Sequence, residues 1–174
     1  MADKKKTMAV IKSQENITKD IFSMWLEFEK ESNVVENAIP GQFISMYSSD
    51  GSRLLPRPIS ICEIDKNSGS LRVVYRVVGK GTDEFSKMKK GEKIPVGGPL
   101  GNGFSLKGDK AVLIGGVIGI APMLELAKQL NCKKQIVLGY KMSCFLMKNL
   151  KNTEQLQLRQ KTEAVEQKEM FLML

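Results

Sequence analysis

No histidine occurs among the 174 residues of this chain. Without an imidazole, Ser-His-Asp and Cys-His catalysis, histidine general bases and zinc-protease chemistry are excluded for the chain acting alone. Any chemistry it takes part in is then expected from a bound cofactor. Cysteine is scarce as well. Cys62, Cys132 and Cys144 form no CxxC pair and are odd in number, which reads as reduced thiols in a cytosolic protein rather than a disulfide framework. Long apolar runs are missing too: no stretch reaches the roughly 18 residues of a membrane span. The start, "MADKKKTMAVIKS", is basic but lacks the continuous apolar region of a secretory signal.

What is present is the composition of an ordinary globular protein, 42% hydrophobic and 26% charged, enough for one domain with a core or a small domain plus part of another. Lys and Arg number 27 against 19 Asp and Glu, a net charge of +8. That balance favours phosphate-bearing partners or acidic surfaces, but basicity alone does not point to nucleic acid.

From Met8 to about Leu106 the chain reads as short strands between turn signals. "MAVIKSQENI", "IFSMWLEFE", "GQFISMYS", "RPISICEI", "LRVVYRVV" and "EKIPVGGP" are rich in Val, Ile, Phe and Tyr. "DKNSGS" at 65–70 is a hairpin connection between two of them. The spacing predicts an all-β antiparallel barrel or sandwich. "GTDEFSKMKKGE" at 81–92 interrupts the rhythm. Thr82 or Asp83 is expected to cap a short helix that carries Phe85 and Met88 on one face and ends at Gly91.

The style changes at "DKAVLIGGVIGIAPMLELAKQL". The run Ala111 to Ile114 suggests a parallel strand buried on both faces, the glycines a turn, and Pro122 the first turn of a helix. "CKKQIVLGYK" follows as a second buried strand. A strand-helix-strand unit of this kind begins an α/β nucleotide-binding domain. Such a domain needs more strands than the residues after Tyr140 supply, and 148–174 reads on its face as an exposed polar helix.

Three groups of residues could carry chemistry. Pro56 and Pro58 fix the backbone around Arg57, and Ser60, expected on the same strand face, adds a hydroxyl. An arginine fork with a nearby hydroxyl suits a phosphate or diphosphate; an edge-strand arginine between turn prolines is the plainer alternative. In "VYRVVGKGT", Tyr75 offers a ring that could stack on an aromatic cofactor, while Gly79, Gly81 and Thr82 lead into a helix N-terminus that favours an anion. A cross-strand aromatic and an ordinary glycine loop would look the same. Gly115, Gly116 and Gly119 form G-G-x-x-G at a strand-to-helix turn, which permits close approach of a nucleotide or simply a tight turn.

In this order the stretches "LLPRPISICEID", "VYRVVGKGT", "GPLGNGF" and "IGGVIGIAPMLELAK" resemble the electron transfer subunits of dihydroorotate dehydrogenase B, within the ferredoxin reductase superfamily. The resemblance runs from about Met8 to Met147. It implies an FAD-binding barrel over 1–106 and the start of an NAD-binding α/β domain over 108–147. It further implies flavin contacts at Arg57, Pro58, Ile59, Ser60, Val74, Tyr75, Arg76, Gly81 and Thr82. Gly115, Gly116 and Gly119, with Ala121 and Pro122, would face the nicotinamide nucleotide.

The partner so implied is an FMN-containing catalytic subunit in a hetero-oligomer, which oxidises dihydroorotate to orotate in pyrimidine biosynthesis. This chain would carry electrons between it and NAD without acting on dihydroorotate itself. The family's 2Fe-2S cluster needs four closely spaced cysteines after the NAD domain, and the scattered Cys62, Cys132 and Cys144 do not supply them. The expectation is a chain truncated relative to the family. Reading the codons from Lys148 onward one base out of step permits a strand and an Asp-Gly-Ser loop like the family's continuation, so 148–174 is read as a frameshifted tail. Two other readings stand beside this one: a related flavoprotein reductase subunit, sulfur-reducing or otherwise NAD(P)H-linked, and a non-enzymatic basic barrel that binds nucleic acid or protein.

Overall fold

The computed structural model describes residues 6–49, 54–138 and 158–159. Six strands occupy the six expected stretches: β1 (Thr7–Thr18), β2 (Ile21–Glu27), β3 (Phe43–Met46), β4 (Arg57–Asp65), β5 (Ser70–Arg76) and β6 (Lys93–Leu100). They close into an antiparallel barrel in the order β1-β2-β5-β4-β3-β6. The two-residue period of a strand divides each between the barrel interior and its outer surface. Leu71, Val73 and Tyr75 of β5 point inward to the core with Ile11, Met24, Ile44 and Ile61, whereas Val74 belongs to a second apolar cluster outside the barrel.

The β4–β5 hairpin turns where the Asp-Asn-Ser-Gly chemistry predicts. Asp65 Oδ1 accepts the amides of Asn67 at 3.1 Å and Ser68 at 3.2 Å, and Gly69 takes φ of 61°, which favours glycine. After β5 the helix α1 (Lys80–Lys87) closes one end of the barrel with Phe85, which is fully buried. Its cap differs from the expected one. Gly79 is the N-cap, and Thr82 lies inside the first turn, where its hydroxyl accepts the amides of Val78 at 3.0 Å and Gly79 at 3.3 Å. That is one half of a capping box, worked from the helix side. The helix ends at Lys87, before Gly91.

The second unit has β7 (Lys110–Gly115), a 3-10 turn (Val117–Ile120), α2 (Ala121–Gln129), β8 (Lys133–Leu138) and the short β9 (Leu158–Arg159). The strands form a parallel sheet in the order β7-β8-β9. Pro122 stands in the first turn of α2, where the absent N–H costs nothing. One expectation is corrected here. β7 is buried on one face only: Leu113 packs under α2, but Val112 and Ile114 are 62% and 71% exposed. Among the described residues a helix covers one side of the sheet, so alternate residues of β7 remain in solvent. Of the tail at 148–174, Leu158 and Arg159 form a strand beside β8 rather than a helix, and the rest lies outside the described residues.

The two units join where α2 lies against β4. Ile21, Cys62 and Val74 of the barrel's outer surface pack with Ile120, Ala121 and Leu124. A bulge between Ile61 and Glu63 interrupts the β4–β5 ladder, and Glu125 Oε2 accepts the Ile64 amide at 2.8 Å beside it. Glu63, nearly buried, pairs with Arg72 of β5 at 2.5 Å and with Lys128 of α2. Arg72 also donates to Ser23 Oγ at 2.8 Å. A buried carboxylate shared by two cations ties α2 to two strands at once.

Candidate functional site

The site is built on a place where the barrel comes apart. β4 and β5 pair from Asp65↔Ser70 to Ile61↔Val73 and no further. Beyond that point Arg57, Pro58, Ile59 and Ser60 pair only with β3, through Met46, Ser45, Ile44 and Phe43. Val74, Tyr75 and Arg76 pair only with β2, through Ser23, Phe22 and Ile21. Seven of the residues singled out from sequence therefore line the two lips of one split. The prolines explain part of it, since Pro58 has no N–H to offer a ladder.

Arg57 spans this mouth to α1. A Cβ on Gly81 would lie 2.4 Å from Arg57 Nε and 2.6 Å from Cζ, so the guanidinium rests on the first turn of the helix in a space only glycine leaves. Arg57 Nη1 also donates to the Leu55 carbonyl. A cation is thus held beside first-turn amides that have no intrahelical acceptor, and both favour an anion. Thr82 is nearly buried, and its hydroxyl donates to the Gly79 carbonyl at 3.0 Å. Its role is to shape the turn.

Two side chains stand elsewhere than expected. Tyr75 is 1% exposed inside the barrel, stacked on Phe22 with ring centres 5.9 Å apart and edge-on to Phe85 at 6.4 Å. Its inward parity on β5 places the ring away from any ligand at the split, so the stacking role is corrected and its backbone remains at the lip. Burial pushes its phenol well above the usual tyrosine range. Ser60 is not on the face of Arg57. They are three positions apart, an odd step, so Arg57 shares parity with Ile59 and Ile61, while Ser60 falls with Pro58 and Cys62 on the outer side. Val74 and Arg76 share the outer side of β5, where Arg76 pairs with Asp20 at 3.0 Å.

The glycine turn reaches the barrel through Val74, which packs in one cluster with Ile120 and Ala121. Gly115 is closely packed: an added Cβ would sit 3.0 Å from Ile120 Cα and 3.2 Å from the Gly119 carbonyl. Gly116 and Gly119 are different, with nothing within 4 Å of where a Cβ would be. They leave an open surface at the start of α2.

Sequence reading missed Gln14, whose amide donates to the carbonyls of Phe85, Ser86 and Met88 at 3.1, 2.9 and 3.0 Å while accepting from Tyr75 Oη at 3.2 Å. It also missed the Glu63–Arg72–Lys128 group. No local pattern marks either: Gln14's partners lie 61 to 74 positions away and Lys128 lies 65 from Glu63, and although Arg72 is only nine from Glu63 the two meet across the β4–β5 ladder. Among the described residues no group of three or more Cys, Asp or Glu is placed to hold a metal ion. Cys62 is buried under α2 and Cys132 is partly exposed; Cys144 lies outside the described residues.

A family model described as the oxidoreductase FAD-binding domain matches residues 8–104. The dihydroorotate dehydrogenase B (NAD(+)) electron transfer subunit of Streptococcus mutans is 44% identical over 144 residues, 78% of this chain and 54% of that protein. The same subunit of Fusobacterium nucleatum is 42% identical over 132 residues, 71% of this chain and 50% of that one. The chain spans about half the length of the curated relatives it matches. Among solved structures, the NADH-dependent reduced ferredoxin-NADP oxidoreductase superposes with a TM-score of 0.75 at 27% identity, covering 91% of this chain and 58% of that chain. A ferredoxin NADP+ reductase from Neisseria gonorrhoeae with bound FAD and NADP shares the fold at a TM-score of 0.68 and 17% identity, covering 88% and 67%.

Proposed function

The chain belongs to the oxidoreductase FAD-binding domain family, and from that premise we propose that it is an FAD-binding electron transfer subunit. Its electrons pass between NAD and an FMN-containing catalytic subunit that oxidises dihydroorotate to orotate in pyrimidine biosynthesis. The observation that carries this reading is the Arg57 guanidinium seated on Gly81 at the mouth of the β4–β5 split. The donors there suit a dinucleotide: a forked cation and helix amides for the diphosphate, and two unzipped strand lips for a flat ring.

FAD, when bound, supplies the redox chemistry by exchanging electrons with a nicotinamide and with one-electron carriers. The chain's own residues bind and orient. Arg57 and the first-turn amides of Gly81 and Thr82 hold the diphosphate, and the backbones of Pro58, Ile59, Ser60, Val74, Tyr75 and Arg76 flank the ring. Gly116 and Gly119 admit the nicotinamide nucleotide, with Gly115 keeping the turn tight. In this reading 1–106 is the FAD-binding domain and 108–147 the start of the NAD-binding domain. The described residues supply no ligand set for the 2Fe-2S cluster of the family. Reduced Cys62 and Cys132 accord with a cytoplasmic setting, and among the described residues no helix is long and apolar enough to cross a membrane.

Purification tests this directly. The full chain incubated with FAD and passed through gel filtration is expected to emerge yellow, release FAD on denaturation and co-elute with an FMN-containing dihydroorotate dehydrogenase subunit. A colourless protein that retains no FAD contradicts the reading.

A further inference from the structure

The anion end of the site depends on where α1 stands, and the residue that fixes α1 lies at its other end. The last carbonyls of a helix have no intrahelical donor. In α1 those of Phe85 and Ser86, with Met88 just beyond, converge on Gln14 Nε2 of β1 within 3.1 Å. The amide cannot turn over without cost. Its oxygen accepts the buried Tyr75 hydroxyl at 3.2 Å, and a flipped amide would set that oxygen against three carbonyl oxygens. Phe85, between these contacts, is fully buried against Tyr75. At the opposite end of the same helix, the Arg57 guanidinium rests on Gly81, 2.4 to 2.7 Å from where a Cβ would stand.

We propose that Gln14 is a positioning residue for diphosphate binding: by holding the C-terminal carbonyls of α1, oriented by Tyr75, it sets the helix N-terminus and Gly81 against Arg57. This rests on the flavin-binding reading given above. Gln14 touches no ligand in that reading and acts entirely through the helix. Its side chain therefore governs affinity for the phosphate-bearing part of the ligand and not for the ring.

The test uses the full chain, its Gln14→Leu variant, and two probes, FAD and riboflavin, titrated by flavin fluorescence. Gln14→Leu keeps the bulk of the side chain and removes the amide donor shared by these carbonyls, of which Phe85 keeps the Met88 amide at 3.1 Å. FAD affinity is expected to fall about ten-fold, with riboflavin affinity unchanged because riboflavin has no phosphate. Tyr75→Phe, which keeps the ring and frees the amide to turn, is expected to show the same selectivity with a smaller loss. Hydrogen exchange is the second readout: the hydrogen-bonded amides of α1, from Asp83, which donates to the Gly79 carbonyl, to Met88, lose protection in Gln14→Leu while Met24 and Val73 of the barrel keep theirs.

Equal losses for FAD and riboflavin, or unchanged FAD affinity, overturn the proposal. So does unchanged exchange in α1, whatever the flavins do. A wild-type chain that binds neither flavin contradicts the functional reading instead, and the exchange result then decides the role of Gln14 in holding the helix.

Discussion

The barrel and the α/β unit differ in how they complete themselves. The barrel closes, so each of its six strands has a neighbour on both sides and its core holds fully buried Ile11, Met24, Leu26, Phe85 and Tyr75. The α/β unit leaves Val112 and Ile114 in solvent, and among the described residues β7 pairs with β8 alone. What order it has leans on the outer surface of β4 and β5, through Val74, Cys62 and the Glu63–Lys128 pair. The lesson concerns the site. The Arg57–Gly81 contact belongs to the closed barrel, whereas the glycine turn is placed by a docked helix.

The largest test of this asymmetry sets two core truncations against each other. Tyr75→Ala removes a ring packed between Phe22 and Phe85 and should cost about 3–5 kcal/mol, unfolding both units together. Leu124→Ala, about 2–5 kcal/mol by the same rule, should loosen α2 and leave the barrel's denaturation midpoint nearly unmoved. A barrel that melts with Leu124→Ala breaks the comparison.

Glu63→Ala comes next. It strands Arg72, whose side chain is 11% exposed, and releases Lys128, which is 39% exposed and partly screened. A loss of about 3 kcal/mol is expected, together with faster proteolysis between 108 and 138 than within the barrel.

Gly81→Ala sharpens the comparison inside the barrel, because stability and binding should part. Alanine favours the helix by about 1 kcal/mol, yet its Cβ displaces the Arg57 guanidinium. FAD affinity should fall about ten-fold, or ~1.4 kcal/mol, with the melting temperature unchanged or raised.

The last effect, a slope with pH and not a single loss, is at the joint between the units. Burial under α2 pushes the Cys62 thiol up to about 12 from its ordinary 9.0, with Arg72 opposing more weakly. Between those values the unfolded chain loses this proton and the folded chain keeps it. Stability is therefore full below pH 9.0 and falls above it by about 1.4 kcal/mol per pH unit. Denaturant unfolding from about pH 8 to 11 should show this slope, and Cys62→Ala should flatten it up to the range where tyrosine titrates.

Much of this was legible in the residues themselves. Strand stretches separated by Asn, Asp and Gly gave the barrel, and Asp65 with Gly69 gave its hairpin, because turns and periodicity are local chemistry. Arg57 and Gly81 were legible as types but not as a contact, which depends on the placement of α1. Tyr75 misled because a ring suited to stacking on a cofactor is equally suited to a core. Only its parity on β5 decides between the two. Ser60 misled through the same parity, counted from Arg57. Gln14 was silent because its partners are distant in sequence, Glu63 because Lys128 is distant and Arg72, nine residues on, meets it only through the β4–β5 register, and the exposure of Val112 and Ile114 depends on which layers cover the sheet.

The central claim is that Arg57, held over Gly81 at the split between β4 and β5, binds the diphosphate of a flavin dinucleotide. The most direct measurement is FAD affinity of the full chain beside Arg57→Ala, with circular dichroism showing both folded. The account predicts that Arg57→Ala binds FAD at least about ten-fold more weakly, the loss of one charge-assisted fork. Equal affinity in the two folded proteins would contradict it.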